Sequence, residues 1–381
     1  MKITVVAGFF LPVPPLRGGA TEKIWHRLAQ EFVAAGHDVT FVSRTWPGLA
    51  ARETVAGLTH VRVPGADHTR RLAFNLLLDF VWGLRVARVL PAADVVVCNT
   101  VSLPVWLRRV KPSAGRVVAV FGRMPKGQAR AYRGVDCLLS VGAAVTGRVR
   151  AENPALAGRI VQFPNPIDWG LHARAAAKQT PPAPVTIGYV GRIHPDKGLR
   201  LLLTAAARLA LRPGLPAWRL ELVGPWTVPL GGGGEDFRDA LLAEFGAALG
   251  DRLTFSGPEF EAEKLAQRYG AMDVFCYPSL DEHGETFGIA AAEAMAAGCA
   301  PVVSGLACFG DLVRDGDTGL VFDHTAPDAV GALATALSRL VAEPSTRAAI
   351  AARAQTHARL YDFPDSARFL LGEFSRLAAR T

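Results

Sequence analysis

The chain is predicted to fold as α/β, in two doubly wound Rossmann-like domains that face one another across a cleft. Three observations carry that reading. Strand-like apolar runs alternate with helix-like segments from the start. The runs are continuously apolar, as parallel strands covered on both faces are. The alternation pauses in a stretch rich in Ala, Gln and Pro, Ala175 to Pro184, and then restarts. A length of 381 residues suits two domains rather than one.

In order, Ile3–Ala7 is a strand, Thr21–Ala35 an amphipathic helix closed by Gly36, and Val39–Ser43 the next strand. A helical Phe74–Leu90 precedes strands at Asp94–Cys98 and Arg116–Val120. After the linker come Val185–Val190, Leu220–Val223, Leu253–Phe255, Val274–Cys276, Pro301–Val303 and Gly319–Phe322. The expected division is a first domain over 1–174, a linker over 175–184, a second domain over 185–355 and a terminal segment over 356–381. Leu230–Glu235, with four consecutive glycines, reads as a flexible insertion. In such sheets ligands gather at the carboxyl ends of the strands.

Half the residues are hydrophobic and 20% are charged, which predicts packed cores rather than disorder. Five cysteines, an odd number without metal-like spacing, read as reduced, packed thiols. No His/Cys/Asp cluster has ligand spacing, so no metal and no cofactor are expected. Lys2 and the apolar run after it faintly suggest a signal peptide, but Pro12, Pro14 and Pro15 interrupt the run, and a first buried strand fits better. Phe74–Leu90 is broken by Asn75, Asp79, Arg85 and Arg88 and cannot span a bilayer. A cytoplasmic protein is expected.

Charge is uneven. Residues 1–178 hold 24 Lys and Arg against 10 Asp and Glu, an excess of +14, and the remainder holds 18 against 24, or −6. The first half is therefore expected to meet something anionic, either a phospholipid surface at the inner face of the membrane or a lipid-phosphate acceptor. The arginines are scattered without interleaved aromatics, so nucleic acid is not an expected partner. An Arg-rich composition inherited from a GC-rich genome accounts for the excess about as well. Phe74–Leu90 reads more readily as a core helix covering the sheet than as a membrane-surface helix.

The most informative stretch is Glu285-Thr286-Phe287-Gly288-Ile289 through Glu293, running on into Ala294-Met295-Ala296-Ala297-Gly298 and the strand at Pro301. Thr286–Gly288 reads as a loop entering a helix that Gly298 ends. Glu285 then sits at the helix N-terminus and Glu293 about two turns along. Free amides at a helix N-terminus seat phosphate, and carboxylates beside them accept hydrogen bonds from sugar and ribose hydroxyls. Gly18-Gly19 in the first strand–helix loop allows close approach of a ligand. Gly191-Arg192 and Lys197-Gly198 share the loop after the second domain's first strand, where a forked guanidinium and a point charge suit a diphosphate.

Together these motifs resemble the family 4 retaining glycosyltransferases, which use nucleotide-sugar donors. The resemblance also takes in Gly36-His37-Asp38-Val39-Thr40, Phe163–Asp168 and Asp315-Gly316-Asp317-Thr318-Gly319-Leu320, and covers nearly the whole chain. It implies the GT-B fold, with the terminal helix returning to the first domain. It implies a retaining hexosyl transfer, without metal, from a UDP-sugar or GDP-mannose to a cell-envelope, polysaccharide or glycolipid acceptor. Arg192 and Lys197 are then the leaving-group clamp, and Glu285 approaches the sugar in an electrostatic and positioning role. Gly18, Gly19, Gly191, Thr286, Phe287, Gly288, Ile289 and Glu293 bind the donor, through backbone amides at Phe287–Ile289 and ribose contacts at Glu293. The sequence departs from the family where relatives carry a histidine after a middle strand. Here stand Arg123 and Lys126, which suit an anionic acceptor or phosphate and equally suit a solvated loop. Asp311 replaces a common glutamate. A nucleotide-sugar 2-epimerase of the same architecture and a silent coat or assembly protein are the alternatives.

Overall fold

The computed structural model describes residues 1–17, 19–176 and 184–379. They divide into one unit of Met1–Pro166 with Phe363–Thr381 and a second of Ile167–Asp362.

The first unit is built on an eight-stranded sheet of β1 (Lys2–Val6), β2 (Asp38–Arg44), β3 (Arg52–Val55), β4 (Leu58–Val63), β5 (Val95–Cys98), β6 (Arg116–Phe121), β7 (Cys137–Ser140) and β8 (Ile160–Gln162). Its spatial order is β3-β4-β2-β1-β5-β6-β7-β8. Every pairing is parallel except β3 with β4, a hairpin at the sheet edge. The chain reverses direction of travel across the sheet between β1 and β5, the position where a crevice opens at the strand ends. Helices α1 (Ala20–Ala34), α2 (Leu72–Val89), α3 (Leu103–Val110) and α4 (Ala143–Glu152) connect the strands.

Strand β4 escaped the sequence reading because His60 and Arg62 interrupt its apolar run. Both are buried. Arg62 is satisfied by the carbonyls of Val13 and Ala50 and by Glu53 on the neighbouring strand at 2.7 Å, as a buried guanidinium must be.

The second unit begins earlier than the expected boundary at 185. Helix α5 (Trp169–Ala175) packs on two helices of this unit, and Trp169 Nε1 donates to the Gln355 carbonyl at 3.0 Å. Of the expected 175–184 linker, Ala175 ends α5, and 177–183 lie outside the described residues. The unit continues through β9 (Val185–Val190), α6 (Leu199–Ala210), β10 (Trp218–Val223), α7 (Glu235–Leu249), β11 (Leu253–Ser256), α8 (Ala262–Gly270), β12 (Val274–Tyr277), α9 (Ile289–Ala296), β13 (Ala300–Ser304), β14 (Leu320–Phe322), α10 (Ala329–Ala342) and α11 (Pro344–Ala358). The six strands are ordered β11-β10-β9-β12-β13-β14, so the switch point falls between β9 and β12. Helix α11 packs on α9 and β13 and so stays in this unit. The terminal segment that belongs to the first unit is α12 (Phe363–Ala378), which packs on α1 with Phe374 against Phe32 at 5.9 Å. All five cysteines are buried free thiols.

Candidate active site

The second unit places its chemistry at the β9/β12 switch point. The loop after β9 carries Arg192 and Lys197, and the loop after β12 carries Glu285. Gly198 lets the two loops meet. Its φ of +67° and the position of the Pro278 carbonyl, 2.0 Å from where a Cβ would stand, admit no side chain. The Leu280 amide donates to the Asp196 carbonyl at 3.0 Å, closing the same contact.

The result is a buried ion pair between Lys197 and Glu285, 5% and 8% exposed. Glu285 Oε1 accepts from Lys197 Nζ, from Tyr277 Oη at 2.9 Å and from Ser279 Oγ at 3.1 Å. Three donors on one oxygen fix its position. Burial, and then the neighbouring Tyr189 and Glu285, raise Tyr277's pKa well above the ordinary phenol value, so it remains a donor. Tyr189, stacked on Tyr277 at 5.6 Å, gives its hydroxyl to the Arg192 carbonyl at 2.8 Å. Tyr277 and Ser279 were not singled out from sequence. Their position at the carboxyl end of β12 was the available signal.

Arg192 and Lys197 share a loop, but their cationic groups have different partners. Arg192 donates to the Gly231 carbonyl at 2.8 Å and to Asp196 at 3.2 Å. The glycine-rich insertion is therefore an organised part of this locus. Gly233 N also donates to the Ile193 carbonyl at 2.8 Å. Gly191 leads into the loop from β9, and Thr286 and Phe287 are buried beyond Glu285. The Phe287 ring lies edge-on to Tyr361 at 5.1 Å, leaving a ligand only its backbone to use. Gly288, at φ +87°, is the residue before α9, and the first-turn amides from Ile289 have no carbonyl one turn earlier within the helix.

Glu293 lies in α9 and accepts from Tyr269 Oη at 3.0 Å. His172 Nε2 stands 3.9 Å from its other oxygen. Burial pushes the His172 imidazole down to about 4, only partly offset by Asp168. It is therefore neutral at pH 7 and forms no ion pair there. Between its unfolded value of 6.5 and its folded value the unfolded chain binds the extra proton. This contribution is accordingly complete above about pH 6.5 and declines as the pH falls toward 4, by up to about 3 kcal/mol. His60, buried beside Arg62 and His26, is likewise pushed down to about 4 and acts in the same direction. Urea midpoints at pH 7.0, 5.5 and 4.5 should fall in that order, and His172→Gln should flatten the trend. A midpoint independent of pH would contradict the assignment.

The first unit has a cavity of about 410 Å³ at the ends of β1, β5, β6 and β7, the β1/β5 switch point. Gly19 and Arg123 line it, whereas Lys126 is exposed beyond it, its amide donating to Gln128 Oε1. Gly18 lies outside the described residues. Sequence reasoning missed Glu22, Asn99 and Thr100, which also line the cavity. Burial raises the Glu22 carboxyl, against the pull of its own backbone amide and Arg123. Asn99 Oδ1 and Thr100 Oγ1 are buried without a hydrogen-bond partner among the described residues. Such atoms suit a ligand with hydroxyl groups. Among the described residues no group of three His, Cys, Asp or Glu side chains is arranged to hold a metal ion.

Two doubly wound units, each with polar groups at its switch point, define the GT-B class of fold. The sucrose-phosphate synthase of Thermosynechococcus elongatus superposes with a TM-score of 0.77 at 22% identity over 100% of both chains. Anabaena HepE, solved with UDP-glucose, superposes at 0.69 and 18% identity over 99% of this chain and 100% of that one. Residues 174–357 match the family of glycosyl transferases group 1. A D-inositol 3-phosphate glycosyltransferase of Rhodococcus opacus is 37% identical over 207 residues, 53% of this chain and 44% of that relative. The chain thus matches less than half the length of that relative. The phosphatidyl-myo-inositol mannosyltransferase of Mycolicibacterium smegmatis is 29% identical over 378 residues, 95% of this chain and 90% of the other.

Proposed function

We propose that the protein is a retaining, metal-independent glycosyltransferase that moves a hexosyl unit from a UDP-sugar or GDP-mannose to a cell-envelope acceptor, with a phosphorylated or lipid-linked polyol favoured. The observation that carries this reading is the buried Lys197–Glu285 pair beside Arg192 and the N-terminus of α9. As the bond from the anomeric carbon to the β-phosphate breaks, negative charge grows on the departing diphosphate. Lys197, Arg192 and the amides at Phe287, Gly288 and Ile289 supply preorganised positive charge for it. In a front-face reaction the acceptor hydroxyl attacks from the side the nucleotide leaves, and its proton passes to the departing phosphate oxygen. Glu285 accepts hydrogen bonds from the sugar and orients Lys197, and Glu293 accepts from the ribose. Gly19, with its neighbour Gly18, lets the donor phosphates or the acceptor approach the first loop.

The acceptor class draws on two supports. The relatives named for inositol 3-phosphate and phosphatidyl-myo-inositol act on phosphorylated polyols. The first unit's cavity combines Arg123, which suits a phosphate, with the unpartnered Asn99 and Thr100 oxygens, which suit hydroxyls. An epimerase would use the same donor groups and needs no acceptor cavity.

A thermal-shift panel of UDP-, GDP-, ADP- and dTDP-sugars tests the donor assignment, since a ligand that binds only the native state raises the melting temperature. One base should stabilise selectively, in EDTA as well as in buffer. Stabilisation and turnover that vanish in EDTA and return with Mg²⁺ or Mn²⁺ would assign the diphosphate charge to a metal rather than to Lys197 and Arg192.

A further inference from the structure

We infer that Glu22 is a specificity-determining residue of the acceptor cavity, the carboxyl that recognises the hydroxyls of a polyol while Arg123 takes its phosphate. The inference rests on the reading of the first unit's cavity as the acceptor site. Glu22 is the third residue of α1 and is 4% exposed. Its side chain folds back over the loop that precedes the helix. A Cβ on Gly19 would collide with Glu22 Oε2 and with the Leu11 side chain, and both residues line the cavity. Gly19, at φ +91°, therefore leaves the room that the carboxyl fills.

No ion pair accounts for this burial. Glu285, the other buried glutamate among the described residues, is met by an ammonium and two hydroxyls. Glu22 forms no ion pair among the described residues. Its own backbone amide donates to it, and Arg123 acts on it at longer range than an ion pair. Burial accordingly raises its pKa, the mark of a charge that its surroundings do not compensate. Buried carboxylates are ordinarily paired or hydrogen-bonded. A ligand bearing hydroxyl groups supplies the missing donors.

The groups beside Glu22 sort the ligand's chemistry. Asn99 Nδ2 donates to the Val6 carbonyl at 3.4 Å, which leaves Oδ1 as the unused atom of that amide. Oδ1 and the Glu22 carboxylate are both acceptors, and Thr100 Oγ1 adds a hydroxyl without a partner among the described residues. Ligand hydroxyls donate to such a set. A phosphate, which accepts and carries negative charge, is repelled by it. Arg123 is the only lysine or arginine among the described residues that line the cavity, and it is exposed. The phosphate is thereby directed to the exposed end and the hydroxyls to the buried end, so that Glu22 rejects a ligand offered the other way round. A carboxylate that only capped α1 would be indifferent to the ligand.

The test is calorimetric titration of the full chain, without donor, with inositol 3-phosphate, inositol, and cyclohexyl phosphate, which keeps a ring and a phosphate but has no hydroxyls. The wild-type chain should bind inositol 3-phosphate more tightly than either other probe. Glu22→Gln should weaken inositol 3-phosphate and inositol by roughly 10–100-fold, the loss of charge-assisted hydrogen bonds, and leave cyclohexyl phosphate unchanged or tighter. Arg123→Gln should weaken both phosphates and leave inositol unchanged. The melting temperature of Glu22→Gln should not fall, since the variant removes a buried charge that has no ion-pair partner. Inositol 3-phosphate bound equally by wild type and Glu22→Gln overturns the inference while the acceptor reading stands. A Glu22→Gln chain that loses all three probes alike and melts lower overturns it too, by making the carboxyl structural. Failure of the wild-type chain to bind any probe overturns the acceptor reading itself, and the role of Glu22 with it.

Discussion

Lys197→Ala is expected to lower kcat by roughly 10²–10³-fold, the scale for removing one preorganised group that stabilises developing charge. Donor affinity should change much less, because the ammonium matters most when the diphosphate is leaving. The geometry adds a second consequence. Lys197 is the cationic partner of a buried Glu285, which without it keeps only the Tyr277 and Ser279 hydroxyls. Stripping one partner from a buried pair costs about 3–5 kcal/mol, so the melting temperature should fall as well. Lys197→Ala/Glu285→Gln separates the two effects. Neutralising the stranded carboxylate should return stability toward wild type while leaving turnover at the level of the single variant. Recovery of turnover together with stability would show that the lysine is structural.

Glu285→Gln is expected to lower kcat/KM by roughly 10²-fold, with the larger part in kcat. The amide oxygen still accepts from Tyr277 and Ser279, so the loop keeps its place. What it loses is the charge that holds Lys197 in a site where the lysine is 5% exposed, and charge-assisted hydrogen bonds to the sugar. Hydrogen bonds to charged groups contribute about 1.5–3 kcal/mol, which converts to that loss. Steady-state kinetics against donor concentration check it. A Glu285→Gln enzyme with wild-type kcat/KM would remove the carboxylate from the reaction.

How far the sequence was legible depends on how each element is stabilised. Strands β1, β9, β12 and β13 are continuously apolar and central in their sheets, and were read directly. Strand β4 was not, because its buried Arg62 and His60 are made tolerable only by partners distant in sequence, Val13 and Ala50 among them. The domain boundary at 174 missed Trp169, whose docking near Gln355 is a long-range contact without a local signal. Helix α2 was read as a core helix from its apolar content. It does cover the sheet, through Trp82, Gly83 and Val86, but periodicity alone could not show that Asn75 and Asp79 face inward.

The same division holds at the site. Lys197 and Glu285 were readable as candidates, each in a loop at a strand end. Their contact was not, because it depends on Gly198 approaching the Pro278 carbonyl across three crossover connections. The shared loop of Arg192 and Lys197 suggested convergence on one ligand, whereas Gly231 and Asp196 hold the guanidinium and Glu285 holds the ammonium. In the first unit, the arginine at 123 was visible in the sequence, but the Asn99 and Thr100 oxygens became candidates only when the fold left them buried without partners.

The most direct test of the central proposal is NMR of the reaction with the donor selected by thermal shift, in EDTA, with and without an inositol phosphate or phosphatidylinositol acceptor. The expected result is nucleoside diphosphate released only when acceptor is present, with a new glycoside that keeps the anomeric configuration of the donor. A new nucleotide sugar formed without acceptor, or a product of inverted configuration, would contradict it.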